Sequence, residues 1–403
     1  VIRIEPQNGG RTLALRWNEK AARTYCLGSI ACALALWTLN AYAQTDTAPT
    51  ETIVTSTRTT KTPKPHKAAK SAKSVKRAKA EQAQGNAYAT RPEVMQLAGE
   101  IAARRNLDPQ WVSHAIGEAR YMPGIVKAIL PPAVGVPKNW TLYRSRFIDA
   151  VRIKAGVKFW SDNRETLERA EKETGVPAAI VVGIIGVETI YGQQIGNYRV
   201  LDALCTLAFD FPAAHPRASA RAAYFQSELE EFLALTARTH TDPLALRGSY
   251  AGAMGLPQFM PSSWVKYAVD FDGDGRIDLF NSQADVIGSV ANYFKAFRWK
   301  PGVATYYPVS FDLQKLDKAA LLEPDILPTF TPADFAAKGA IVDAAGMQHP
   351  GLLALIELQN GADAPQYVAG TENFYAITRY NWSSYYAMAV IELGREVAAT
   401  MPK

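Results

Sequence analysis

The sequence predicts a mainly α chain, α+β in class, in which a large helical body is joined to one small β-containing region. Three observations carry this. Apolar residues recur at helical spacing from Arg91 to Trp299, beginning with Val94, Leu97 and Ile101. After Pro301 the chain breaks into short segments, "ATYYPVSF", "LLEPDILPTF" and "GLLALIELQN", which carry β-branched or aromatic residues between Pro and Gly. Helical spacing then returns in "SSYYAMAVIELGREVAAT". With 403 residues, 48% of them apolar, the chain can bury two or three packing units.

Residues 1–43 read as an N-terminal extension and signal peptide. A basic approach ends at Arg23, an apolar run extends from Cys26 to Leu39, and Ala41-Tyr42-Ala43 supplies a small-x-small cleavage site. The run is short of the ~20 residues of a bilayer span. Cleavage after Ala43 would remove Cys26 and Cys32 and leave Cys205 alone, so no intrachain disulfide is expected. Cys32 follows Ser-Ile-Ala, which is no lipobox. These features imply a periplasmic protein and leave outer-membrane association open.

Residues 44–86 form a Thr-, Ala- and Lys-rich linker with almost nothing large and apolar to bury. Lysines recur every third residue from Lys61 to Lys79, and Pro63 and Pro65 favour an extended chain. A solvated spacer is the first reading, and a tether to an anionic envelope surface is the second. The net charge of +6 is concentrated near the N-terminus, so the folded part is close to neutral and no nucleic-acid partner is expected.

A helical region follows over 87–175. Asp108-Pro109 offers a cap and a first-turn proline. "WTLYRSRFIDAVRIKAG" reads as one helix with Tyr143, Phe147, Ala150 and Val151 on a face and a stop at Gly156, and "DNRETLERAEKETG" as a charged helix ending at Gly175. A second region, 176–300, contains "TGVPAAIVVGIIGVETIYGQQIGNY", in which Glu188 is the only charged residue. Ile184, Ile185 and Tyr191 are its helical neighbours, which implies burial and a raised pKa suited to a general acid. A buried structural or solvent-facing glutamate is the competing reading.

"DFDGDGRIDLFN" places Asp270, Asp272, Asp274 and Asp278 at positions 1, 3, 5 and 9 of a loop. Gly275 sits at position 6, and the carbonyl of Arg276 at position 7 adds an oxygen. This is the spacing of an EF-hand calcium loop, because alternate side chains converge on one point. Asn281 stands where that pattern has a glutamate, and Asp285 is the natural substitute ligand. Calcium in a structural role is expected, with no organic cofactor. Residues 301–370 are assigned to the small β-containing subdomain and 371–403 to a C-terminal segment, helical in spacing, that completes the groove.

Glu188 in "VETIYG", then "SYAGAMGLPQFMPSSW", the acidic loop directly after it, and "YNWSSYYAMAV" occur in an order and spacing that resemble the lytic murein transglycosylase B family of Gram-negative bacteria. The resemblance spans roughly Arg91 to the C-terminus. It implies a lysozyme-like helical core and cleavage of the β-1,4 bond between N-acetylmuramic acid and N-acetylglucosamine without water. Glu188 would be the single acid/base and a 1,6-anhydro sugar the product. Peptidoglycan glycan strands would be the partner of a monomeric enzyme. Matching positions make Ser249, Gln258, Tyr293, Tyr380 and Asn381 groove residues, with Tyr143 and Arg221 as looser matches and Arg217 a rival to Arg221. Their residue types suit sugar hydroxyls and N-acetyl groups. Tyr293 and Tyr380 read equally well as core aromatics, Gly252, Met254 and Gly255 as turn and packing residues, and His215 and His240 as solvated loop residues. Asp202 and Asp210 lie near Glu188 in sequence, but spacing does not place them opposite it. A lysozyme- or chitinase-type hydrolase and a non-catalytic wall-binding module are the alternatives.

Overall fold

Proline and small polar caps decide where most helices begin. A computed structural model describes residues 88–131 and 137–402. The signal-peptide reading of 1–43 and the linker reading of 44–86 lie outside the described residues. Three helices, α1 (Pro92–Arg105), α2 (Pro109–Gly117) and α3 (Pro123–Ala128), each start on a proline, whose missing N–H is no loss in a first turn. The Asp108 side chain accepts from Gln110 N and caps α2.

The segment read as one helix from Trp140 to Gly156 is two, α4 (Trp140–Ser145) and α5 (Ala150–Asp162). Asp149 restarts the chain by accepting from Arg152 N at 2.9 Å. Val151 is consequently turned outward and exposed. The second helix runs through Gly156, because that position must stay bare to admit the Tyr191 hydroxyl. The charged helix α6 (Arg164–Thr174) ends at Gly175 in the left-handed conformation.

Next comes α7 (Ala178–Thr189), buried along nearly its whole length from Ile180 to Val187. A helix apolar on every face must be surrounded. It is followed by β1 (Tyr198–Arg199), α8 (Val200–Phe209), α9 (Ala218–Arg238), β2 (Arg247–Gly248), α10 (Pro261–Tyr267) and α11 (Gln283–Ala296). The short strands β1 and β2 pair antiparallel, Tyr198 opposite Gly248.

The region after Pro301 contributes β3 (Tyr306–Phe311), α12 (Lys318–Leu322), α13 (Pro332–Ala337), β4 (Ala340–Val342), α14 (Ala344–Met347), β5 (Ala354–Asn360) and β6 (Asp363–Gly370). The strands form one antiparallel sheet in the order β4-β3-β6-β5. "LLEPDILPTF" is not a strand: it ends α12 and turns, keeping one isolated bridge between Phe330 and Leu353. Period-two alternation lets β5 serve two cores. Ala354, Ile356 and Leu358 join the main core, while Leu353 and Leu355 join a smaller one with Leu321, Phe335, Val342 and Ala369. Two helices close the chain, α15 (Glu372–Tyr380) and α16 (Ser384–Thr400), the latter capped by Ser383.

The most extensive helix contact is α7 against α16, 200 residues apart in the chain. A Cβ at Gly183 would overlap the Val390 carbonyl, and one at Gly394 would overlap the Ala179 carbonyl. The two backbones therefore touch where glycine stands. Gly183→Ala should lower stability by about 1–3 kcal/mol, as overpacked sites do, read as a fall in the urea midpoint.

Candidate active site

Glu188 is the penultimate residue of α7 and is half-buried among the apolar residues of that helix. Beyond it the chain turns through Ile190 and Tyr191, both left-handed with φ of 51° and 55°. Side chains rarely tolerate this conformation, and the surroundings enforce it. Thr189 Oγ1 donates to Leu256 O at 2.9 Å and accepts from Gly192 N. The Tyr191 ring stacks on Phe159, with its hydroxyl seated over Gly156 and Gly186. Buried Arg152 donates from Nε to Gly186 O at 2.9 Å, placing a cation at the carbonyl end of α7.

From α16, Tyr386 reaches across and donates to Glu188 Oε1 at 2.5 Å. Oε2 accepts no hydrogen bond among the described residues. Burial raises the Glu188 carboxyl pKa, the Tyr386 hydroxyl draws it partly back, and the result is about 7. Burial, and secondarily the nearby Glu188 carboxylate, hold Tyr386 and Tyr380 well above the usual phenol range, so both stay neutral.

The two carboxylates nearest in sequence are engaged elsewhere. Asp202 is bound by Arg199 and by Arg120 N, and Asp210 by Arg91 and the Tyr88 hydroxyl. Neither contributes to the Glu188 shift.

The groove residues expected from sequence fall into two groups. Tyr143 OH, Gln258 Oε1 and Asn381 Oδ1 are buried polar atoms with no hydrogen-bond partner among the described residues. Each such atom costs about 1–3 kcal/mol unless something binds it. The Tyr143 phenol is raised by burial and by Glu188, which puts it within electrostatic reach of the carboxyl. Gln258, itself left-handed at φ 52°, donates its amide to Ile195 O and Gly255 O and so ties two loops together.

The polar groups of the second set are already engaged. Ser249 Oγ accepts from Ala251 N and Ala253 N, shaping its own loop. Tyr380 OH donates to Pro257 O at 2.5 Å and Tyr293 OH to Arg379 O at 2.7 Å. Their rings form an aromatic pack with Phe259, and the Tyr380 ring lies parallel to that of Tyr386 at 6.5 Å. Arg221 is buried on α9 over the rings of Tyr224 and Phe225 and is not among the causes of the Glu188 shift. Its rival Arg217 is exposed.

Of the acidic loop, carboxylate oxygens of Asp270, Asp272 and Asp285 lie within 4.8 Å of one another, a hard-oxygen cluster fit for a divalent cation. Asp274 and Asp278 are not among them. Asp274 accepts from Arg276 N and pairs with the Arg276 guanidinium, and Asp278 accepts from Phe280 N and Asn281 N. Buried Asp285 accepts from Phe271 N and Asp278 N, which pins the loop to α11.

Tyr386 is the residue that sequence reasoning missed. It lies in "YNWSSYYAMAV" beside Tyr385, whose hydroxyl turns instead to Gln359 O. Two adjacent tyrosines at a helix start face different sides, but nothing local says which side meets Glu188.

Residues 89–395 match the family described as the Transglycosylase SLT domain. The chain is 39% identical over 331 residues to the membrane-bound lytic murein transglycosylase B of Escherichia coli, covering 78% of this chain and 85% of that protein. The Escherichia coli lytic transglycosylase SLT35 in complex with bulgecin A superposes with a TM-score of 0.69 at 39% identity, over 78% of this chain and 96% of that one. The same protein in complex with calcium gives 0.68 at 38%, with the same coverage. More distant is SltB3 from Pseudomonas aeruginosa in complex with NAG-anhNAM-pentapeptide, with a TM-score of 0.58 at 26% identity over 74% of this chain and 78% of that one.

The Glu188 shift carries a stability consequence. A carboxyl raised from 4.5 to about 7 lends the folded state stability that is complete below about pH 4.5 and is lost as pH rises through about 7. Glu188→Gln stays neutral throughout. Allowing for its partial contact with solvent, it should exceed the parent by on the order of 2 kcal/mol at about pH 8 and by little at about pH 4.5, read from urea midpoints.

Proposed function

The chain belongs to the transglycosylase SLT domain family and acts as a lytic murein transglycosylase, and from that premise we propose that Glu188 alone serves as both acid and base in forming a 1,6-anhydromuramic product. The observation that carries this is a half-buried carboxyl with pKa about 7, partnered among the described residues only by a tyrosine hydroxyl. Near neutrality such a group is present in both protonation states, so one residue can give a proton and then take one.

In the first step the protonated Glu188 carboxyl gives its proton to the glycosidic oxygen as the C1–O bond breaks. The N-acetylglucosamine side leaves as an alcohol. Positive charge at C1 is met by the substrate's own 2-acetamido group. In the second step the muramic C6 oxygen bonds to C1 while its hydroxyl proton passes to the Glu188 carboxylate. The carboxyl is thereby restored and no water is consumed. Tyr386 steadies the carboxylate between the steps by donating to Oε1. A lysozyme-type retaining hydrolase would use a second carboxylate ~5–5.5 Å away, and the engagement of Asp202 and Asp210 with arginines argues against that alternative.

Tyr143, Gln258 and Asn381 fit the role of sugar ligands, since each keeps a buried polar atom to be satisfied. Tyr293, Tyr380 and Ser249 support the site through their backbone contacts. Among relatives, SltB3 has been solved with NAG-anhNAM-pentapeptide, which is consistent with an anhydro product. We place the enzyme in the cell envelope, where murein lies. No helix among the described residues is long and apolar enough to cross a membrane.

Asp270, Asp272 and Asp285 would hold a calcium ion that braces the loop against α11. The calcium complex of SLT35 supports this reading. Asp274, Asp278 and the Arg276 carbonyl complete it only if the loop turns inward on binding.

Digestion of purified sacculi followed by mass spectrometry should yield anhydro-ended muropeptides, and reducing-end products would refute the proposal. Glu188→Gln should cut the rate by roughly 100- to 10 000-fold while remaining folded. Calcium should raise the thermal midpoint by several degrees relative to chelator, and Asp285→Asn should abolish the difference. An unchanged midpoint in the parent protein would mean that the loop holds no structural ion.

A further inference from the structure

The loop that leaves Glu188 runs to a second, cationic cleft. Its volume is about 560 Å³, within the ~300–1,000 Å³ typical of ligand pockets. Arg120 and Tyr121 from the turn between α2 and α3 line one side, Tyr198 and Arg199 of β1 another, and Arg247 of β2 a third. The one carboxylate in its wall is Asp202.

Asp202 does not neutralise the cleft. It is buried, and its Oδ1 accepts from Arg199 Nε at 2.8 Å, from an Arg199 terminal nitrogen at 2.6 Å and from Arg120 N at 2.9 Å. The same Arg199 terminal nitrogen also donates to Glu118 O. Arg199 is thus spent on building the wall. Arg247 is exposed and gives one bond, to Asn197 O at 2.9 Å. Arg120 is exposed, and its guanidinium has no partner among the described residues. Two guanidinia are therefore left to face a space flanked by two phenols. The planar fork of arginine matches carboxylates, and the phenols offer apolar faces and hydroxyls.

The cleft is also mechanically continuous with the Glu188 loop. Gln258 holds Ile195 O at 3.1 Å, and Gly196 lies directly on the Gly248 carbonyl, so residues 195–199 are clamped between the groove loop and β2.

We propose that this arginine cleft binds the carboxylates of the stem peptide carried by muramic acid, so that the enzyme prefers peptide-bearing strands. This rests on murein being the substrate. The choice of the peptide follows from charge. In murein the lactyl carboxyl of muramic acid is consumed in the amide bond to the peptide, which leaves the sugars neutral and puts the anionic groups on the peptide arm.

The test uses the full chain carrying Glu188→Gln, alone and with Arg120→Glu or Arg247→Glu, two exposed positions, with folding checked by thermal melting. The probes are the free stem pentapeptide, a peptide-free N-acetylglucosamine–N-acetylmuramic acid oligomer, and the same oligomer bearing peptides. Each charge reversal should weaken the two peptide-containing probes by about tenfold or more and leave the peptide-free oligomer unchanged. Equal losses for all three probes, or no loss for the peptide-bearing ones, would overturn the proposal. Free pentapeptide that binds the parent and is lost in Arg120→Glu supports the cleft even if sacculi are not cleaved. In the active Glu188 background, anhydro products released at the parent rate by both arginine variants from peptide-bearing strands would sink the cleft and leave the cleavage reaction standing.

Discussion

The close crossing of α7 and α16 is the constraint on which the site depends. α7 is apolar on all sides and is stable only when covered, and the cover is a helix from the far end of the chain. Gly183 and Gly394 remove the side chains that would hold the two backbones apart. At that separation Tyr386 can reach Glu188 Oε1, and one added methyl group at either glycine works against the pairing. Packing, local geometry and acid–base chemistry are here one arrangement.

The electrostatics follow from where α7 ends. Burial disfavours the carboxylate, and the carbonyl end of a helix carries partial negative charge that acts in the same direction. Tyr386 opposes both by favouring the charged form, and Arg152 occupies the Gly186 carbonyl at that helix end. Burial, the larger cause, and the Tyr386 hydrogen bond that opposes it leave the carboxyl at about 7, with no second carboxylate among its causes. The left-handed pair Ile190–Tyr191 ends the helix abruptly, so that Glu188 stands half-buried in its last turn instead of deep in a continuing helix.

The mainly α class was legible because helical spacing and capping residues are local signals, as at Asp108-Pro109 and Gly175. Gly156 misled, since a glycine that ends a helix and a glycine that makes room for a remote hydroxyl look alike in sequence. The burial of Glu188 and its raised pKa were legible because one charge in a long apolar stretch has few reasons to be there. Tyr386 was not, because its partner lies 198 residues away and no local spacing encodes the contact. The acidic loop shows the same limit: alternation groups Asp270 and Asp272, yet Asp274 and Asp278 turn to their own backbone. Likewise a tyrosine in a motif announces a hydroxyl without saying, as with Tyr380 and Tyr293, that a main-chain carbonyl already holds it.

Tyr386 belongs to the last helix of the described chain, and this sets an order of events. While the polypeptide is still emerging, α7 has formed no contact with α16, Glu188 lacks its hydroxyl partner, and the helix around it has lost its largest cover. The pairing of Glu188 with Tyr386 is therefore complete only once α16 has been made and has packed on α7.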